Sequence, residues 1–541
     1  MSNKIVRGTM LLTGATFLSK FLGMIYVIPF NSLVGNEGGV LYNFAYIPYN
    51  ILISISTVGV PLAVSKFVSK YNSLGDYRTG MRMFKAGTML MAITGFIAFL
   101  LLFFAAGPIA GMIGLEDSGE VTLHDATVVI RMISFALLII PAMSIVRGFF
   151  QGYQSMGPTA VSQVVEQIIR IVFLLVAAFL VLHVFHGSIV TAVGFATFAA
   201  FVGAIGSCIV LWWYWRKRKP YIEKNIQRQK VKNDIPLRSL FNELLRYAGP
   251  FVLVGLATSL YQLVDEFTFT RAMIAAGLKD EWVVSLAAIN MYGHKIILIP
   301  VSLATGLSLA ILPALTETFT KKNKPLLFQQ INQALQVIAV LVIPAVFGLI
   351  ILSHETYGAL FGGMKVLDLT GTLLAWYAPV ALLFALFTVS ASLLQGINEQ
   401  RFAVISLTAG LLVKVLFNIE LIHLFGAKGA IFGTALAAGI ATILNLWRMQ
   451  RAIQFSFKQT VKRTLLVFIF SIIMFMVIWV LKWLIGIFLP FETSRTAAVV
   501  MLGIGVAAGG AVYLWLAYAS TLLERVLGSR VRILDRFFRR H

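Results

Sequence analysis

Eleven of the ionisable side chains that interrupt long apolar runs are the groups through which this chain could do chemistry: Lys20, Arg131, Arg147, Glu166, Arg170, Asp265, Glu266, Arg271, Lys295, Lys414 and Glu420. A charge at membrane depth is costly, so such groups face a wet cavity, pair with one another or reach the interface. Seven are cations and four are carboxylates. A positive surplus suits an anionic ligand, because Lys and Arg hold phosphate oxygens through charge-assisted hydrogen bonds.

Some of these groups have structural readings. Glu166 and Arg170 stand four apart and can pair along one helix face. Arg131, Arg147 and Arg271 lie towards the ends of their runs and can snorkel. Lys20 and Lys295 are harder to place, since each is near the middle of its run with no carboxylate one turn away. They are expected to line a cavity; the alternative is an ion pair with a distant acid. Asp265 and Glu266 are the obvious acids for that, and together with Glu166 they are also candidates for carrying a coupling ion. His294, beside Lys295, points to another face and reads as a packing or hydrogen-bonding residue.

The elements that must hold these groups are membrane helices. The chain has 541 residues, 59% hydrophobic and 12% charged, with a mean hydropathy of +0.88; soluble domains carry about 25% charged residues. The apolar runs are long enough to cross a core of about 30 Å. They place helices near 8–33, 40–66, 82–110, 125–150, 158–182, 188–215, 246–275, 284–312, 333–355, 367–394, 400–424, 429–448, 462–489 and 496–522. The first is too long for a cleaved signal peptide and lacks its cleavage site. The fold class is therefore an all-α polytopic membrane protein of about fourteen spans.

Loop charge alternates. Lys4 and Arg7, Lys70, Arg78 and Arg82, the run Arg216 to Lys232, Lys321 to Lys324, Arg401, Arg448 to Arg463, and Arg525 to Arg540 fall on one side; Glu37, Glu116 to Glu120, Lys279 to Glu281, Lys365 and Asp368, Lys428, and Glu492 and Arg495 fall on the other. Basic loops stay in the cytoplasm, so both termini are expected inside. The net charge of +22 then reports topology, and nucleic acid is not an expected partner. The tail mixes arginines with Val526, Leu527, Val531, Leu534, Phe537 and Phe538, which fits either a helix on an anionic leaflet or a solvated basic tail.

The two halves repeat. Gln151-Gly152 precedes Arg170 as Gln395-Gly396 precedes Lys414, eighteen residues from glycine to cation in each. Gly59-Val-Pro-Leu-Ala-Val64 resembles Gly306-Leu-Ser-Leu-Ala-Ile311 at nearly the same offset. Six spans separate the paired features, so the repeat is parallel, of the kind that places a substrate site between two rocking lobes. The expected divisions are an N-terminal six-helix lobe over 1–215, a basic cytoplasmic linker over 216–245, a second six-helix lobe over 246–450, two added helices over 451–522 and a basic tail over 523–541. Pro29, Pro48, Pro61, Pro141, Pro300, Pro344 and Pro379 fall inside spans and can bend them.

No Gly-x-x-x-x-Gly-Lys-Ser/Thr loop occurs, and Cys208 is the sole cysteine. ATP hydrolysis through that loop, an intrachain disulfide and a cysteine-rich metal site are thereby excluded. The outer loops are too short for the platform of a membrane polymerase. Neither an enzyme nor a cofactor is expected.

Several segments resemble one family. Leu18-Ser-Lys-Phe-Leu-Gly23 is similar to the Ser-Arg-x-Leu-Gly of lipid II flippases, and Tyr292-Gly-His-Lys-Ile296 with Ala310-Ile-Leu-Pro313 is similar to their Tyr-Ala-Asp-Arg-Leu stretch and its Leu-Pro ending. Gly59-Val-Pro-Leu-Ala-Val-Ser-Lys66 resembles the polysaccharide-transporter and stage V sporulation protein B branch of the multidrug/oligosaccharidyl-lipid/polysaccharide exporter superfamily. The resemblance implies a monomeric flippase in the bacterial plasma membrane. Its partners would be a lipid-linked oligosaccharide diphosphate, lipid II above all, and membrane lipids. It also implies that Lys20 and Lys295 occupy positions of cavity arginines and share one cavity, and that the two added helices form a groove for a long lipid tail. Tyr26, Leu41 and Leu52 stand where another branch carries charged residues, which leaves Arg131, Arg147, Arg170 or Lys414 to compensate. A drug/cation antiporter of the same superfamily is the main alternative, but it would call for an acidic cavity and twelve spans. A membrane enzyme or scaffold of envelope assembly is a third reading.

Overall fold

The computed structural model describes residues 14–15, 18–19, 21–57, 60–113, 121–227, 236 and 253–527. They form a helical protein in which eleven helices are long and apolar enough to cross a membrane. Two compact units divide the chain, Met1–Arg271 and Ala272–His541.

In the first unit, α1 (Val27–Thr57) is broken at Gly35, whose φ of 66° interrupts the helix between the first two expected spans. It is followed by α2 (Val60–Ser73), α3 (Tyr77–Ile113), α4 (Leu123–Ser134), α5 (Ile140–Gly152), α6 (Met156–Phe179), α7 (Ile189–Gln227) and α8 (Ala257–Ala275). A capping box between Thr122 and Asp125 starts α4, satisfying backbone donors that a helix start leaves open. A 3-10 turn over Phe135–Leu138 then leads into Pro141 at the first turn of α5, so one span is built from two offset helices. α7 continues through Arg216 to Gln227, so the basic segment expected to be a linker from 216 begins as helix. Val64, Phe67, Val68, Met83, Ile145 and Phe149 form a core joining α2, α3 and α5.

The second unit begins with α9 (Trp282–Leu286), which passes through a π-helical stretch, Ala287–Gly293, into α10 (His294–Thr320). Then come α11 (Lys324–Ile351), α12 (Ser353–Phe361), α13 (Leu367–Gly396), α14 (Gln400–Phe425), α15 (Ala427–Ile453), α16 (Lys458–Gly486), α17 (Arg495–Ala519) and the short α18 (Leu522–Leu527). The expected span 333–355 thus ends at Ile351, and α12 is a separate short helix. α16 and α17 pack on α11 through Ala339, Ile343, Val467, Met474, Ile478 and Tyr513.

Large apolar side chains such as Met89, Phe104, Val172, Leu416, Leu465 and Trp483 are exposed. In a membrane these faces meet lipid. Arginines stack on tryptophans one helical turn away: Arg216 lies 4.3 Å from Trp212 within α7, and Arg451 lies 4.4 Å from Trp447 near the end of α15. Such amphipathic pairs belong at the membrane–water boundary.

Candidate functional site

In the first unit Arg147 ties three helices together. From α5, its Nη2 donates to Glu166 Oε2 on α6 at 2.6 Å and to Ser207 Oγ on α7 at 2.8 Å, and its Nε donates to Ser162 Oγ at 3.0 Å. The two charged side chains are only 15% and 16% exposed. This differs from both sequence expectations: Arg147 does not snorkel, and Glu166 pairs with it across helices instead of with Arg170 along its own. The cause is lateral packing. Gly203 of α7 lies against the α6 backbone at Glu166 and the Cβ of Arg170, and the Arg170 guanidinium sits 5.1 Å from the centre of the Tyr46 ring. Once Arg147 and Glu166 neutralise each other, Arg170 is left as this cluster's surplus positive charge.

Tyr46 belongs to an aromatic ladder along α1. It stacks on Tyr42 at 4.5 Å, and the Tyr42 hydroxyl hydrogen-bonds that of Tyr26 at 2.9 Å. Tyr26 and Leu41, two of the positions where the resemblance expected charge, are buried. Arg131 is exposed on α4; its Nε donates to the Phe103 carbonyl at 3.4 Å, and its guanidinium lies over the Phe103 ring. Arg271 donates to the Gly111 carbonyl at 3.2 Å. On α8, Asp265 and Glu266 are buried, and among the described residues neither carboxylate oxygen of Glu266 has a hydrogen-bond partner. Lys20 lies outside the described residues.

In the second unit the π-helical stretch sets the residues around Lys295. Tyr292 is wholly buried and lies 4.8 Å from the Phe361 ring. His294 is buried and its Nδ1 is 3.0 Å from the Tyr377 hydroxyl. These neighbours anchor the helix, while Lys295 is half-buried and, among the described residues, makes no hydrogen bond or ion pair. π-helical turns recur at functional positions because the extra residue re-aims the side chains that follow. Lys414, the repeat mate of Arg170, is wholly buried between α14 and α15, where its Nζ donates to Thr434 Oγ1 and the Ala430 carbonyl. The two repeat cations therefore share a position along the chain but not an environment.

One pair escaped sequence reasoning. Glu355 on α12, wholly buried, meets Lys482 on α16 at 2.8 Å, and Arg495 donates to the Ala359 and Leu360 carbonyls at the end of α12. The signal was present, since Glu355 and Lys482 both interrupt apolar runs. These contacts fasten the added helices to the second unit.

A family profile described as polysaccharide biosynthesis protein matches residues 5–319. The chain is 46% identical over 542 aligned residues to the lipid II flippase MurJ of Bacillus subtilis (strain 168), covering 100% of this chain and 99% of that protein. It is 24% identical to stage V sporulation protein B of the same organism, covering 84% and 85%. A solved structure of a lipid II flippase MurJ in an inward closed conformation has the same fold, with a TM-score of 0.66 at 18% identity over 96% of this chain and 99% of that one. The chain has the polytopic helical fold of that structure. The chain belongs to the polysaccharide biosynthesis protein family.

Proposed function

We propose that this protein is a flippase that carries lipid II, the lipid-linked precursor of peptidoglycan, from the inner to the outer leaflet of the bacterial plasma membrane. The observation that carries this reading is the 46% identity to the Bacillus subtilis flippase along the whole chain. The chemistry fits: the cargo is an anion on a lipid, and the protein places cations at depth in apolar helices. No bond is made or broken.

Lys20 and Lys295 are proposed to bind the substrate's diphosphate, each through its ammonium group. Lys295 supports this by its environment, half-buried and without a protein partner among the described residues. Arg170 is proposed as a further contact, presented beside the Tyr46 ring. Arg147, Arg131 and Lys414 are better explained by the contacts that already hold them. Asp265 and Glu266 are proposed to carry a coupling ion or proton. Both termini are proposed to face the cytoplasm, following the charge alternation, and the protein is proposed to act as a monomer.

Complementation of a strain that depends on this protein tests the site. A Lys20→Gln, Lys295→Gln double variant at normal membrane level should fail to support growth, and Lys→Arg at both positions should support it. Full growth with the double Gln variant would refute these roles.

A further inference from the structure

Three cavities adjoin one another where α16 begins, at the basic-loop end of the second unit. The first, about 780 Å³, is walled by Asn332, Gln333 and Gln336 of α11 and by Ser456, Lys458 and Arg463. The second, about 1140 Å³, shares Ser456 and Lys458 with it and adds Arg451, Lys462 and Trp447. The third, about 760 Å³, shares Trp447, Val461 and Leu465 with the second and continues along Leu335, Ile343, Leu386 and Phe468 as an apolar gutter. Among the described residues, no Asp or Glu lines any of the three.

The first cavity contains an unmet donor. Gln336 is 2% exposed; its Oε1 accepts from Arg463 Nη1 at 2.5 Å, while its Nε2 has no partner among the described residues. A buried amide donor without an acceptor costs free energy until an acceptor arrives. An acceptor entering here meets Lys458 and Arg463, so an anionic oxygen fits best. Beside it run the exposed cations Arg451 and Lys462, and beyond them the apolar gutter, with Val461 and Leu465 each 62% exposed. A polar anion pocket, a basic ridge and an apolar channel, in that order, match a phosphate headgroup followed by acyl chains. Basic pockets between helices on the cytoplasmic side take up such headgroups.

We infer that this seam is a specific site for an anionic phospholipid of the inner leaflet, its phosphate held by Gln336, Arg463 and Lys458 and its acyl chains in the gutter. The inference rests on the reading that basic loops face the cytoplasm. The bound lipid is not cargo; it would brace α16 against α11 and so hold the added helices on the second unit.

The test is native mass spectrometry of the purified full-length protein after exchange into equal amounts of phosphatidylglycerol and phosphatidylcholine. The protein should retain phosphatidylglycerol with a preference of about tenfold, the equivalent of one charge-assisted contact. A Lys458→Gln, Arg463→Gln variant should lose that preference, whereas Lys458→Arg, Arg463→Lys should keep it. Lys217→Gln, Lys219→Gln, which removes equal charge from α7, should also keep it. Equal preference in the Lys458→Gln, Arg463→Gln variant, or none in the unaltered protein, would overturn the inference. So would displacement by millimolar inorganic phosphate, which would make this a soluble-anion site, or stoichiometric displacement by lipid II, which would make it a cargo site. Because the readout is phospholipid retention, its failure is distinguishable from a failure of flipping.

Discussion

Gly152 packs directly against Val68: a methyl group added at Gly152 would lie 2.7 Å from the Val68 Cβ. The second unit makes the same contact, since a methyl group added at Gly396 would lie 2.4 Å from the Leu315 Cδ2. Gly152 and Gly396 are the two glycines of the sequence repeat, and Val68 and Leu315 are separated by the same offset as the segments Gly59–Val64 and Gly306–Ile311. Each unit thus brings the end of one helix onto another at a glycine.

The two glycines should respond differently to substitution. At Gly152 an added methyl also meets the Ser65 carbonyl oxygen at 2.8 Å, a backbone atom that cannot rotate away, whereas at Gly396 the close atoms belong to the Leu315 side chain. Gly152→Ala should therefore destabilise the protein by about 1–3 kcal/mol, as overpacking does, and Gly396→Ala by less. Thermal unfolding in detergent measures both, and an equal or reversed order would contradict the contact.

The Arg147–Glu166 pair should behave as a neutral buried unit. Arg147→Leu leaves the Glu166 carboxylate uncompensated, at a cost of about 3 kcal/mol. Arg147→Leu with Glu166→Leu should recover most of the lost stability, because removing both charges removes the penalty. A double variant no more stable than the single would show that the serine contacts, and not the charge balance, hold these helices.

Glu266 is buried with neither oxygen hydrogen-bonded among the described residues. Glu266→Gln keeps its shape and abolishes its ionisation, so thermal stability should be unchanged or higher. If the carboxylate couples transport to an ion or proton, reconstituted transport in this variant should no longer respond to the gradient. A variant that is less stable and still gradient-dependent would argue for a structural role.

The charge alternation makes a topological prediction. In a Cys208→Ala background, a membrane-impermeant thiol reagent applied to intact cells should label Asp117→Cys and spare Lys230→Cys. The reverse pattern would invert the protein.

The helical, membrane-spanning fold was legible in the sequence because a membrane simplifies the code: a span needs about twenty apolar residues. Span boundaries were off where helices do not stop at the bilayer, as in α7, which continues to Gln227, or where they break early, as at Ile351 before α12. The charges at depth were found, but their partners were not. Spacing offered Arg170 to Glu166 on one helix, whereas lateral packing delivered Arg147 from another. Lys414 matched Arg170 in register, yet Thr434, twenty residues further along, engages it. A single sequence shows neighbours along a helix; it does not show which face of the next helix arrives.

The central claim is that this protein moves lipid II across the membrane. In cells whose only lipid II flippase is this protein, lipid II exposure on the outer leaflet should collapse soon after its depletion, with lipid II accumulating on the inner leaflet. Exposure should return when the unaltered protein is restored and stay low with the Lys20→Gln, Lys295→Gln variant. Undiminished outer-leaflet exposure after depletion would contradict the account.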